Sequence, residues 1–249
     1  MLYTLALRIP YRCTSDNSHK MNKAKKRQAE ILFLVLTALF VAALVTANLI
    51  FQKFFRWNPF GLWEFELSAG IIPYPVTFLV TDIISEIYGR KMANRVVLAG
   101  LFASLFMLLI ILVASYAPAT DFSPVTDAQF NTVFGFTFVA VGASLTAYLL
   151  AQFLDVQIFH FWKRKTKGKH LWFRNNASTF GSQFVDTFTV LILLCAFEVI
   201  EWELFGMLLL NGYLFKVMVA MLDTPIIYLI VWGIRKKFGL KGHGAEIQL

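Results

Sequence analysis

The sequence predicts an all-α, polytopic membrane protein with six transmembrane helices and both termini in the cytoplasm. Three observations predict it. The first is composition: of 249 residues, 58% are hydrophobic and 15% charged, where a soluble globular chain carries roughly 25% charged residues. Mean hydropathy is +0.63. The second is length: six apolar stretches of about 20 residues or more can be drawn, each able to cross a hydrocarbon core about 30 Å thick. The third is charge placement. From N-terminal segment to tail, the stretches outside the spans carry 7, 2, 3, 0, 6, 0 and 4 Lys and Arg residues. Loops on the cytoplasmic side hold the excess, so this alternation fixes six spans with both ends inside. All six tryptophans (Trp57, Trp63, Trp162, Trp172, Trp202, Trp232) fall at or near span ends, as an interfacial belt requires.

Residues 1–28 form a basic cytoplasmic segment without an apolar core and cleavage site of signal-peptide type. Met21 opens the basic run MNKAKKRQ directly before the first span, and the natural start is expected there, residues 1–20 being an over-long extension. Residues 29–234 make the transmembrane domain. The first span, 31–50, is uncharged; Thr37, Thr46 and Asn48 are its polar exceptions, and Asn48 is a candidate substrate contact. Ala38/Ala42 and Ala43/Ala47 are small-residue pairs that permit close helix packing. Residues 51–66 read as an aromatic loop of mixed charge. The second span, 67–88, is interrupted early by Pro73 and Pro75, so it is expected to start broken or re-entrant, its freed backbone satisfied by protein or water. The third span is 96–117. A polar turn region with Pro118 and Pro124 leads to the fourth, 133–161. A basic loop, 162–174, precedes the fifth span, 179–199, and the sixth, 204–232. Residues 235–249 are a polar cytoplasmic tail.

The stretch PYPVTFLVTDIISEIYGRK, residues 73–91, is apolar enough to enter a membrane yet carries Asp82 and Glu86. Their i,i+4 spacing puts both on one helix face, with Arg90 at the next step and Gly89 as a helix exit. Acids are costly in lipid, so this face should turn to a protein interior or a water-filled cavity. The plainer reading is an anchor at the membrane surface. Asp186 lies 12 residues beyond Arg174, about 18 Å up its helix and near mid-depth. Thr179, Gln183 and Asp186 share its face. Lys216 stands alone inside the sixth span. Asp223 follows two turns later on the same face, about 10 Å away and too far for a direct pair unless both side chains reach. Gln152 and Asp155 share a face of the fourth span. A structural reading pairs Lys216 with Asp186 or Asp223 and uses the amides as interhelical glue. A functional reading joins Gln183, Asp186, Lys216 and Asp223 in one polar tier, the form of a transporter site.

Other chemistries lack their residues. The sequence has neither GxxxxGK[ST], the phosphate-binding loop, nor HExxH, the zinc-protease motif. Cys13 and Cys195 make neither a disulfide framework nor a metal pair. His19, His160, His170 and His243 sit at boundaries or in tails, and Asn176-Ala177-Ser178 is a chance glycosylation sequon facing the cytoplasm. The net charge of +8 is explained by loop positives, so direct nucleic-acid binding is not expected. No enzyme activity, metal or cofactor is expected.

Four segments carry a resemblance: residues 75–93 (PVTFLVTDIISEIYGRKMA), 151–162 (AQFLDVQIFHFW), 178–188 (STFGSQFVDTF) and 213–230 (YLFKVMVAMLDTPIIYLI). The pairing of TDxxxExYG with a later QxxDT is more specific than either alone. On these residues the chain resembles the queuosine precursor transporter family, a branch of the vitamin uptake transporters. The resemblance implies a six-helix inner-membrane protein importing 7-cyano- or 7-aminomethyl-7-deazaguanine for queuosine salvage into tRNA. It also implies likeness to the substrate-binding components of energy-coupling-factor transporters, so a component needing separate ATPase subunits is one alternative. A membrane enzyme or assembly factor is another. The partners that follow are a small 7-deazaguanine, the lipid bilayer, and either further copies of the chain or energy-coupling subunits. Candidate substrate contacts are Asn48, Asp82, Glu86, Gln183, Asp186, Lys216 and Asp223.

Overall fold

The computed structural model describes residues 22–61, 63–165, 171–240 and 246–247. The expectation of a start at Met21 lies outside them, as do Cys13, His19, His170 and His243. Among the described residues, seven α-helices and one small hairpin follow in order: α1 (Lys23–Ile50), β1 (Phe54–Trp57), β2 (Phe65–Ser68), α2 (Tyr74–Tyr88), α3 (Arg90–Tyr116), α4 (Asp127–Phe134), α5 (Thr137–Lys165), α6 (Leu171–Ala196) and α7 (Trp202–Phe238). Six stretches among them are long and apolar enough to cross a membrane, the number the sequence predicts.

Three details differ from the sequence reading. The aromatic loop is an antiparallel hairpin, Phe54 facing Ser68 and Trp57 facing Phe65. Its alternating FFRW and FELS let one strand keep Phe65 and Leu67 buried, the period of two that a short strand needs. The fourth span is broken: α4 ends at Phe134 and α5 starts at Thr137. A capping box on Thr126 and Gln129 starts α4, satisfying two backbone donors reciprocally. Finally, Arg90 opens α3 rather than extending α2, so Asp82, Glu86 and Arg90 do not form one continuous ladder.

That break is made by Gly89, at φ +82° and ψ 162°, a region essentially reserved for glycine. Residues from the far end of the chain close over it. The Ile247 N–H donates to the Ile87 carbonyl at 2.7 Å, and the Glu246 carboxylate lies where a β-carbon on Gly89 would stand. Ile247 is itself buried with Ile87 and Phe238.

The broken entry to α2 is as expected. A 3-10 turn, Ala69–Ile71, is capped by Ser68 and leads to Pro73 at the helix start. Pro75 occupies the first turn, where no intrahelical N–H bond is lost. Helix α2 packs on α1, α3 and α7, and α5 pairs with α6, which packs on α7. One apolar cluster joins Val80, Ile84 and Ile87 to Phe40, Val96 and Val231 at the end bearing the basic residues. Another joins Ala140, Leu191, Leu194 and Leu208 toward the hairpin end. Outside these, Leu34, Val35, Phe102, Phe106, Leu109 and Val113 stand more than half exposed on α1 and α3. A belt of apolar side chains on this scale suits hydrocarbon contact.

Candidate functional site

Three elements converge on one buried charge pair. The Lys216 Nζ lies 2.6 Å from Asp186 Oδ2, with side chains 10% and 9% exposed respectively. The Tyr74 hydroxyl donates to the same oxygen at 2.7 Å, and Lys216 Nζ donates to the Tyr74 oxygen at 3.4 Å. Lys216 also stands over the Tyr74 ring, 4.4 Å from its centre. A partly desolvated cation over an aromatic face gains about 0.5–2 kcal/mol. The ammonium is thus held by a carboxylate, a phenol oxygen and a π face.

Local sequence explains how each group arrives. The turn at Ala69–Ile71 and Pro73 start α2 part-way along the bundle, so its first residue, Tyr74, sits level with Asp186 on α6. Thr77 fixes that first turn by donating to the Tyr74 carbonyl at 2.7 Å. Gly212, one turn before Lys216, lets α7 approach α6: a β-carbon there would lie 3.3 Å from Thr187. Phe78 meets the Tyr74 ring edge-on at 4.6 Å, and Phe184 lies edge-on to Tyr213 at 5.4 Å. Gln183, three residues before Asp186, has a buried side-chain oxygen without a hydrogen-bond partner among the described residues.

The other candidates are placed apart. Asp223 is half-buried on α7, and the partner of Lys216 is Asp186 rather than Asp223. Pro225 sits two residues beyond Asp223 inside α7, removing one helix bond at that level. Asp82 is exposed on α2. Glu86, half exposed, is bound by Arg235 of α7 at 2.8 Å, at the basic end of the bundle. Asn48 is buried near the end of α1 and, among the described residues, has no hydrogen bond to the Asp186 tier. The side chains of Gln152 and Asp155 lie outside what the structure describes. Tyr74 is the site residue that sequence reasoning missed. Its signal was its place between Pro73 and Pro75, where the broken span opens.

The hairpin sits over this tier. Trp63 Nε1 donates to Asn211 Oδ1 at 3.1 Å, and Trp57 meets Phe215 edge-on at 5.7 Å. Asn211 precedes Lys216 by five residues, about 7.5 Å along the helix. Two clefts, of about 310 and 520 Å³, open beside the hairpin, and Arg56, Glu66 and Met207 line both. These clefts lie above the tier. Neither is lined by Tyr74, Asp186 or Lys216.

Comparison with known proteins adds a family. The model described as "Putative vitamin uptake transporter" matches residues 68–230, a range that holds Tyr74, Gln183, Asp186 and Lys216. A Bacillus subtilis (strain 168) protein named "Probable queuosine precursor transporter" is 31% identical over 191 residues, 75% of this chain and 79% of that one. The Escherichia coli (strain K12) "Queuosine precursor transporter" is 26% identical over 74% of this chain and 79% of its own length. A Haemophilus influenzae (strain ATCC 51907 / DSM 11121 / KW20 / Rd) protein with the same name as the first is 30% identical over 51% of each chain. No solved structure matches the chain.

Proposed function

The chain belongs to the vitamin uptake transporter family, and we propose that it imports queuosine precursors: 7-cyano-7-deazaguanine, 7-aminomethyl-7-deazaguanine or a related base, for salvage into tRNA. It is a multi-pass membrane protein. In this reading its place is the inner membrane, with both termini cytoplasmic, the orientation that the loop charges favour. The observation that carries the reading is the buried tier of Tyr74, Asp186 and Lys216, drawn from three helices inside the family-matched range.

The chemistry suits such a base. A 7-deazaguanine is flat and presents adjacent N–H donors. Carboxylates accept such donors from base edges elsewhere. In this reading Asp186 is the acceptor for the guanine-like edge. Lys216 balances its charge or contacts the base carbonyl. Aromatic rings offer stacking surface, worth about 1–3 kcal/mol per base in other systems. Asp223 is a proton-carrying group if import is proton-coupled, and Asp82, Glu86 and Asn48 lie along the path rather than in the tier. The relatives are named transporters, which favours a self-sufficient carrier over a binding component. It also speaks against an enzyme or assembly factor.

The test is rescue of tRNA queuosine in a host that can neither make nor import the precursors, fed a trace of 7-cyano-7-deazaguanine. Expression of the chain should restore queuosine. Absence of rescue despite good membrane expression would overturn the assignment. Uptake by vesicles holding only this chain separates a carrier from a component, which would bind without transport.

A further inference from the structure

We infer that Gln183 is a specificity-determining residue of this site, its side-chain oxygen reading the exocyclic amine of the base while Asp186 reads the adjacent ring N–H. This rests on the transport reading and deepens it by naming the ligand edge and the atoms that recognise it.

Two acceptors carry the inference. The Gln183 Oε1 is buried and takes no hydrogen bond from a described residue. Buried polar atoms in native proteins are nearly always paired, so each orphan calls for an explanation. Asp186 is the second. Both of its contacts, from Tyr74 and from Lys216, fall on Oδ2. Its Oδ1 takes no hydrogen bond from a described residue, although a carboxylate offers about four acceptor positions. Gln183 and Asp186 are three residues apart on α6, so their side chains are neighbours on one face. The Thr187 hydroxyl, bound to the Gln183 carbonyl at 2.9 Å, holds that turn in place.

The geometry therefore offers two adjacent acceptors and a lysine already committed to Asp186. The tier is close to neutral, one cation against one anion. A charged ligand would leave a buried charge unbalanced, so the fitting class is a neutral, planar heterocycle with two neighbouring N–H donors. The ring N–H of a guanine-type edge is the more acidic donor and belongs on the carboxylate, where a charge-assisted bond is strongest. The exocyclic amine is left for the glutamine oxygen.

The experiment measures binding of 7-cyano-7-deazaguanine and of its 2-deamino analogue, 7-cyano-7-deazahypoxanthine, to the purified full chain. The unsubstituted protein should favour the amino base by about tenfold to a hundredfold, the penalty for leaving one buried acceptor unpaired. Gln183→Met keeps the side-chain length and removes the acceptor. It should weaken the amino base by about the same factor, leave the analogue within about threefold, and erase the preference. Gln183→Leu also removes the acceptor without adding a charge and should erase the preference; it decides the matter if the methionine variant fails to accumulate. Equal weakening of both bases in either variant, or a preference kept in either, overturns the inference and leaves the transport reading intact. Failure of the unsubstituted protein to bind either base overturns both.

Discussion

Asp186 and Glu86 are both acids on long apolar helices, and they end in opposite circumstances. Asp186 is 9% exposed and gathers Lys216 from α7 and Tyr74 from α2. Glu86 is 52% exposed and, among the described residues, meets one arginine, Arg235, at the basic end of the bundle. A carboxylate buried at a junction of three helices must be held by several donors, or its burial would be costly. One at the rim needs nothing, and its ion pair contributes about 0–1 kcal/mol. The difference teaches that depth along a helix is a poor guide to cost: what matters is how many neighbouring elements close around the group.

The comparison can be sharpened by substitutions of decreasing effect. The largest is expected from Lys216→Met alone, which leaves Asp186 buried with only the Tyr74 hydroxyl. Breaking one side of a buried pair costs about 3–5 kcal/mol, so membrane abundance should collapse; normal abundance would show the pair to be solvated. Tyr74→Phe comes next. It keeps the ring under Lys216 and removes one donor, a loss of about 1–3 kcal/mol. Uptake should fall by about tenfold with abundance largely kept, and unchanged uptake would remove Tyr74 from the site.

At the basic end the backbone should matter more than the charges. Gly89→Ala forces a β-carbon into a strained conformation, a cost of about 1–3 kcal/mol, and into the Glu246 carboxylate. Its thermal midpoint in detergent should drop by several degrees. Glu86→Gln should move neither uptake nor midpoint by much, with uptake within about twofold. Asp82→Asn is expected between Tyr74→Phe and Glu86→Gln. A loss for Glu86→Gln equal to that for Lys216→Met would erase the contrast between the two regions.

Much of this was legible in the chain. Six apolar stretches, the broken start at Pro73 and Pro75, and the need of Lys216 for a partner, Asp186 or Asp223, all follow from periodicity, proline chemistry and the cost of charge in lipid. The hairpin was not, because four-residue strands are shorter than any pattern that separates them from an aromatic loop. Asp82 and Glu86 drew attention by their spacing, yet the same stretch supplies the tier through Tyr74 at its other end. Nothing in the order of residues marks which helix a tyrosine will face. A carboxylate in an apolar run announces itself, whereas a tyrosine there looks like one more ring until its hydroxyl is seen to have a partner.

The most direct test of the central claim, that the Asp186 tier binds the transported base, is a double-substitution cycle with Asp186→Asn and Lys216→Met, scored separately for membrane abundance and for uptake. Each single change should lower abundance, and the double should largely restore it, since no unpaired buried charge remains. Uptake by the restored double variant should stay abolished. Recovery of uptake together with abundance would make the pair structural and contradict the account.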